Sequence, residues 1–387
     1  MKKLISLLSV FLIMAPLFNQ EIKHQVSVIN IEVPVRVFKG KTFIDDLTIH
    51  DFELFEDGKA QNIETVYLIK KTDIKREQGN IKFRPEVSRN FVLLFEVADY
   101  LPKLGDSIEY FFNEVFLPGD HLTVMTPQKT YNFKKEALEL LPKEEIINQL
   151  KEKLRKDITT GNAEYKNLLM DLHELMPPDE ETIRYFRMIL KRLETLRSTK
   201  EEDLIKFSDF LKSKPGPKHV FLFYQKEVLP QLNPSALAQL ISMNQDNQAF
   251  LMEYYDAIEF YKRDISFNID KVKKVFSDSS ISIHFLFITK PTSMSITGIQ
   301  PHLLNWADHS EDIYSAFREM AQATGGITDN SANASSSFRK AAAASENYYL
   351  LYYQPKNYQA DGQFKTIKVK IKKGHYSVTH RSGYIAD

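Results

Sequence analysis

The chain is 387 residues long, which at roughly 100–200 residues per domain predicts two or three domains. Hydrophobic residues at 43% and charged residues at 26% suffice for a core and exclude a disordered or collagen-like chain. The 51 basic residues cancel the 51 acidic ones, unlike the basic excess of a nucleic-acid binder, and the absence of cysteine excludes disulfide scaffolds, cysteine-ligated zinc, iron–sulfur clusters and cysteine nucleophiles.

The first segment reads as an address. Lys2 and Lys3 precede an uncharged apolar run from Leu4 to Phe18 that Pro16 interrupts. A short basic region followed by an apolar stretch too short for an ordinary membrane-spanning helix is the pattern of a secretory signal. The expectation is a signal peptide over 1–20, cut near Asn19–Gln20, with an uncleaved anchor as the alternative. With no cysteine after the run there is no lipoprotein acceptor, and no later run is long enough to span a bilayer. The mature chain is therefore expected to be exported, periplasmic or at the cell surface.

From Val26 the apolar residues alternate through Val28, Ile31, Val33, Val35 and Val37, the period of a half-buried strand. Asp57-Gly58 is a hairpin signal between Phe52–Phe55 and a strand near Ile63–Ile69. Residues 21–75 thus read as β structure and the charged stretch 76–88 as a linker. The continuous run Phe91–Phe95 suits a strand buried on both faces of a parallel sheet, and similar runs recur at Leu122–Met125, Val220–Phe223 and Ile281–Ile288. Between them Ile147, Leu150 and Leu154, then Phe186, Ile189 and Leu193, then Leu204, Phe207 and Leu211 follow helical spacing. Strands alternating with helices predict an α/β domain with a mostly parallel sheet over 89–345. Residues 332–344 read as a loop into a short helix. Over 346–387 strand character returns at Tyr348–Tyr353, Ile367–Ile371 and Tyr376–Ile385. The simplest arrangement joins both ends of the chain in one sandwich-like β domain, into which the α/β domain is inserted.

The order of these blocks resembles the exported von Willebrand factor A-related proteins of the acidobacterial type. The resemblance rests on VINIEVPVRVF and LTIHDFELFEDGKAQNIETV near the start, FVLLFEVADY at 91–100, GPKHVFLFYQKEV at 216–228 and MAQATGGITDN at 320–330. It closes with YYLLYYQP at 348–355 and FKTIKVKIKKGHYSVTHRSGYIA at 364–386. It implies a doubly wound α/β sheet whose strand ends hold a divalent cation through a first-loop acid, two serines, a threonine and a late aspartate. On this alignment the acid falls on Glu96, the serines on Ala98 and Tyr100, the threonine on Thr159 or Thr160, and the aspartate on Gln225, after Tyr224. Three of the five ligands are thereby lost, and magnesium sheds water only with carboxylate help. The site reads as a degenerate metal-ion-dependent adhesion site with no cofactor. Any residual magnesium or manganese would rest on Glu96, Asp99 and Thr160. Tyr100 and Tyr224 are expected to fill the vacated ion space and serve as partner contacts.

Other motifs read as structural. Ser337-Phe338-Arg339-Lys340 matches the serine–x–x–lysine string of acyl-serine enzymes but has no companion motif, and Ser335–Ser337 read as a helix start. His173-Glu174 lacks the second histidine of a zinc-protease helix. His302 with His309, and His375 with His380, lack metal-ligand spacing. Glu56-Asp57-Gly58 lacks the alternating acids of a calcium loop. Gly325-Gly326 reads as a helix cap, and Lys365–Lys373 as a solvated strand face.

Three classes of function remain. A binding module would use loops 97–105, 157–163, 225–233 and 290–306, the last ending at Trp306, the single tryptophan, which either anchors a partner or packs beneath. An envelope hydrolase would need a clustered acid–base set that the sequence does not display. A structural subunit of an envelope assembly would use strand addition at a sheet edge. The expectation is the first: a non-enzymatic module with a protein partner.

Overall fold

The structure is a computed structural model and describes residues 29–81, 84–133, 140–175, 178–197, 199–225, 228–232, 238, 241–259, 267–289, 304–308 and 311–387. The expected signal segment 1–20 and most of loop 290–306 lie outside the described residues.

The fold is mixed α/β with several sheets. The chain opens with β1 (Ile31–Lys39), β2 (Thr42–Phe43), β3 (Phe52–Glu56), β4 (Lys59–Gln61), β5 (Ile63–Lys70) and β6 (Asp73–Gly79). It closes with β15 (Asn347–Tyr353), β16 (Phe364–Ile371), β17 (Ser377–His380) and β18 (Gly383–Ile385). Strands from the two ends interleave. One sheet runs β17-β1-β15-β5-β6 and a second runs β18-β16-β3-β4. The two share one core of Val33, Val35, Val37, Phe52, Leu54, Tyr349, Leu351, Ile367 and Val369. The alternation in β1 supplies this core, with one exception: Arg36 points away from it and is still buried. The back face of the first sheet carries its own cluster of Tyr67, Ile69, Tyr348 and Leu350, and Arg36 reaches from that face to the α/β unit.

Three β expectations are corrected. The Asp57-Gly58 turn, with both residues at positive φ, closes onto β4 and not onto the strand near Ile63–Ile69. After Gln61 the chain leaves that sheet, and β5 pairs with β15 in the other. The expected linker 76–88 begins inside β6, whose charged sequence hid an edge strand paired to β5. Only every second side chain of β6 is partly covered, so hydrophobic alternation is nearly absent. The expected last strand, Tyr376–Ile385, breaks at Arg381-Ser382 into β17 and β18, which join different sheets.

Between these ends lies a six-stranded sheet in the order β14-β12-β10-β7-β8-β9. Its strands are β7 (Asn90–Glu96), β8 (His121–Met125), β9 (Thr130–Phe133), β10 (Lys218–Gln225), β12 (Ile281–Ile288) and β14 (Thr328–Ser331). All neighbours pair in parallel except β8 with β9. β10 and β12 are buried along their whole lengths, as continuous apolar runs covered on both faces must be. On one face pack α1 (Pro102–Tyr110), α2 (Lys143–Gly161) and α9 (Ala334–Glu346), through residues such as Leu104, Leu154 and Phe338. On the other pack α5 (Glu201–Lys212), α7 (Ile269–Asp278) and α8 (Glu311–Ala323), through Leu211, Phe276 and Phe317.

The sequence predicts one α/β domain over 89–345. The structure adds a separate helical cluster of α3 (Ala163–Glu174), α4 (Ile183–Arg197) and α6 (Gln248–Glu259). Phe186, Ile189 and Leu193 bury against Leu172, Phe250 and Tyr254 and not against the sheet. Helical spacing identifies a covered face but not what covers it. A short ribbon pairs β11 (Val228–Leu232) with β13 (Leu304–Asp308) and places Trp306 opposite Pro230, so the expected loop 225–233 is in part a strand. The start of α9 is also corrected: its cap is the side chain of Asn333, which accepts from the Ser336 amide at 3.2 Å, and not one of the serines.

The Gly325-Gly326 pair caps α8, with Gly325 at φ 70° and the Gly326 amide donating to the Ala321 carbonyl at 2.8 Å. Gly326 has a second reason to be glycine, since a Cβ there would stand 1.7 Å from the Ile283 carbonyl oxygen of β12.

Candidate functional site

β7 and β10 are neighbours, but β7 is followed in the chain by β8 on one side and β10 by β12 on the other. The sheet order therefore reverses between them. In open α/β sheets such a switch point leaves a crevice outside the carboxyl ends of the strands. Here a cleft of about 490 Å³ opens there, lined among others by Glu96, Ala98, Thr126, Asn162, Leu196 and Gln225.

The first loop is held from two directions. Gln225, 2% exposed at the end of β10, accepts the Asp99 amide through Oε1 at 2.7 Å. Asn162, between α2 and α3, donates its Nδ2 to the Val97 carbonyl at 3.0 Å. The Asp99 carboxylate pairs with Lys166 of α3 at 2.7 Å. α2 is anchored below by Asp157, a buried carboxylate that accepts from Thr126 at 3.0 Å and from the Tyr131 hydroxyl at 2.7 Å. Burial, and then this carboxylate, push the Tyr131 phenol up to about 12. The sequence points to loop 157–163, which contains Asp157 and Asn162, but not to Lys166. Asp157 lies within α2, Asn162 caps its end and Lys166 lies in α3; of the three, Asn162 lines the cleft and Lys166 the recess beside Tyr100.

The expected site residues are only partly brought together. Glu96, Ala98, Tyr224 and Gln225 line the cleft. Thr159 and Thr160 do not lie in a loop. They occupy the last turn of α2, exposed, with their hydroxyls donating to the Arg155 and Lys156 carbonyls at 2.9 Å each. A hydroxyl four residues on from a carbonyl in a helix finds that acceptor locally. Tyr100 and Tyr224 do not share one surface. Tyr100 turns toward the α1 and α2 side, where burial raises its pKa, and lines a separate recess with Asp99, Arg155, Thr159 and Lys166. Tyr224 is 7% exposed and packs on the opposite helical layer, its ring stacked on Phe287 at 6.1 Å. The alternation along β10 forces this split, because Phe223 faces one layer and Tyr224 the other.

Among the described residues no group of three His, Asp or Glu side chains is placed to hold a metal ion. The serine–x–x–lysine pair is engaged elsewhere: Ser337 donates to Asp329 at 2.6 Å and Lys340 pairs with the other oxygen of that carboxylate at 2.9 Å. These contacts hold α9 to β14.

One polar atom at the cleft stands apart. With Oε1 of Gln225 occupied by the Asp99 amide, its Nε2 is buried and finds no acceptor among the described residues. Such a donor is costly unless something bonds it.

The chain matches no family model and no curated protein. Among solved structures, the human COPII-coat protein Sec24c overlaps 84% of this chain and 46% of its own, at 7% identity and a TM-score of 0.31. The chain thus spans less than half the length of that protein, in an overlap too loose to define a common fold.

Proposed function

We propose that the chain is an exported, non-catalytic binding module of von Willebrand A-like, doubly wound design, which takes a protein partner in the switch-point cleft without a metal ion. The observation that carries this reading is the Gln225 amide: a buried N–H donor at a cleft, fixed in orientation by the Asp99 amide and lacking an acceptor. It calls for a carbonyl or carboxylate oxygen from the partner. The von Willebrand A reading draws support from the strand order, from the antiparallel edge strand β9 and from the helices on both faces. Export rests on the basic start and apolar run of the sequence.

A photo-crosslinking residue at Leu196, on the cleft, should capture one partner protein in the cell of origin, and the same residue at exposed Lys368 on β16 should not. Gln225→Glu keeps the acceptor for the Asp99 amide but replaces the donor with a carboxylate oxygen. It should lower the adduct yield at least tenfold while the protein still melts cooperatively. Equal capture from both positions, or unchanged yield in Gln225→Glu, would remove the cleft from consideration.

The metal-free part of the reading draws support from Lys166, whose ammonium already supplies the positive charge at Asp99. Melting temperature should be the same in millimolar magnesium and in chelator, because only a ligand of the native state raises stability. A rise of several degrees with magnesium or manganese, abolished by Glu96→Ala, would restore a cation to this site.

A further inference from the structure

At the opposite end of the sheet, where the strands begin, the back face of the β unit meets the α/β unit around a partly open cavity of about 60 Å³. Arg36 of β1 and Tyr348 of β15 enter it from one side, Lys218 and His219 of β10 and Ser282 of β12 from the other. Arg36, His219 and Tyr348 are 3%, 2% and 2% exposed.

These side chains present donors and almost no acceptors. The Arg36 Nε, the Tyr348 hydroxyl and both ring nitrogens of His219 are buried without a hydrogen-bond partner among the described residues. Whichever tautomer His219 adopts, it carries one N–H. Ser282 accepts from Arg36 Nη2 at 3.3 Å, which leaves its own proton free to donate. Lys218, 8% exposed, makes no ion pair among the described residues.

Charge is unbalanced as well. Arg36 donates only to neutral oxygens, the Gly325 carbonyl at 3.1 Å and the Ser282 hydroxyl. Arg381, 6% exposed, is bonded to the Ser280 hydroxyl and to the Ser277, Asp278 and Glu32 carbonyls, again with no carboxylate oxygen. Two carboxylates line the cavity, and Glu32 lies close enough to act through its charge on Lys218 and Arg381 but forms an ion pair with neither among the described residues. Glu32 accepts from the Tyr352 hydroxyl at 3.1 Å, and exposed Glu86 accepts from the Ser88 amide at 2.8 Å. Buried guanidinium groups without a carboxylate are costly. Water could satisfy the donors, since the space holds about four molecules at ~15 Å³ each, but water does not neutralise the charge. Burial lowers the Arg36 guanidinium to about 10, with Tyr348 opposing, which an anion beside it would reverse.

We propose that this cavity is a binding site for a small inorganic anion, clamped between the β unit and the first residues of the central strands. The β unit contributes Arg36 and Tyr348, and the sheet contributes Lys218, His219 and Ser282. Because the two halves of the site belong to different units, the anion ties them together.

Melting temperature, measured in sodium gluconate, whose anion is too large for the cavity, and titrated with chloride, bromide or phosphate, tests the site. The wild-type chain should gain several degrees in a saturable, millimolar transition with at least one of these ions. Tyr348→Phe keeps the ring and removes one donor, and it should shift that transition about tenfold to higher concentration. Crystals grown in bromide should show anomalous scattering within hydrogen-bond distance of Arg36 and Tyr348. Response to the halides alone or to phosphate alone would support the site and set its size. A shift that is linear in salt and equal in the two proteins, or a cavity that contains only water in bromide, would overturn the proposal.

Discussion

Acidification from pH 7 to pH 5 is expected to destabilise the protein by roughly 2 kcal/mol for each of two buried histidines. His219 and His284 are 2% and 0% exposed, and no ring nitrogen of either has a hydrogen-bond partner among the described residues. They lie side by side with ring centroids 6.1 Å apart, His219 stacked on Phe91 and His284 on Phe221 at 4.8 Å. Burial, and then the nearby Arg36 charge, hold His219 well below the usual histidine range and push His284 down to about 3. A histidine whose folded-state pKa lies below 6.5 takes up its proton in the unfolded chain first. The unfolded state therefore binds more protons between pH 6.5 and about 3, and stability falls as pH drops through that window. Above pH 6.5 the effect vanishes.

Urea denaturation from pH 7.5 to pH 5 in gluconate buffer, which keeps small anions away from His219, measures this slope. His284→Phe preserves the stack on Phe221, loses no hydrogen bond, and should remove about half of the pH dependence. Parallel pH profiles for the two proteins would show that His284 does not titrate with folding.

The second large effect is at the entrance of the same sheet. Arg89, just before β7, and Asp120, just before β8, form an ion pair whose side chains are 1% and 0% exposed. The carboxylate receives Arg89 Nε at 3.1 Å, Nη2 at 2.6 Å and the backbone amides of Arg89 and Leu117 at 3.2 and 2.9 Å. The guanidinium donates further to the Val115 carbonyl at 2.7 Å and lies 4.8 Å from the centre of the Phe91 ring. Asp120→Ala strands a buried guanidinium and two backbone donors, and it should cost about 3–5 kcal/mol. Arg89→Met strands the carboxylate but leaves its two backbone donors, and it should cost less. The double variant Arg89→Met/Asp120→Ala should be more stable than Asp120→Ala alone, because the uncompensated charge is gone. Two-state urea unfolding of the four proteins closes the cycle. Strict additivity of the two single effects would show that the pair is not coupled.

Much of the architecture is legible in one dimension. Uninterrupted apolar runs such as Phe91–Phe95 and Val220–Phe223 cannot be half-exposed, so they announce central strands of a sheet covered on both faces. Alternation around Val33, Val35 and Val37 announces a strand with one core face. Asp57-Gly58 and Gly325-Gly326 announce a turn and a helix end, because both need backbone conformations that most residues resist. These features depend on neighbours a few residues apart, and the sequence by itself determined them.

The site depended on contacts that local periodicity does not encode. The family resemblance sets Thr159 and Thr160 in a ligand loop, but α2 continues through them to Gly161, their hydroxyls turn back to helix carbonyls, and Asn162 caps the end. Tyr100 and Tyr224 were read as one surface, but strand alternation in β10 sends Tyr224 to the far layer. β6 carries too few apolar residues to register as a strand, and its existence follows from a partner, β5, that needs an edge. Arg36 lies out of phase with the apolar alternation of Val33, Val35 and Val37. It is buried because the second face of its sheet meets residues up to 289 positions away. Hydrophobic period says which side chains leave water together. Only the folded chain decides which distant donor, carboxylate or cavity they meet there, since that choice is made by packing between segments and not within them.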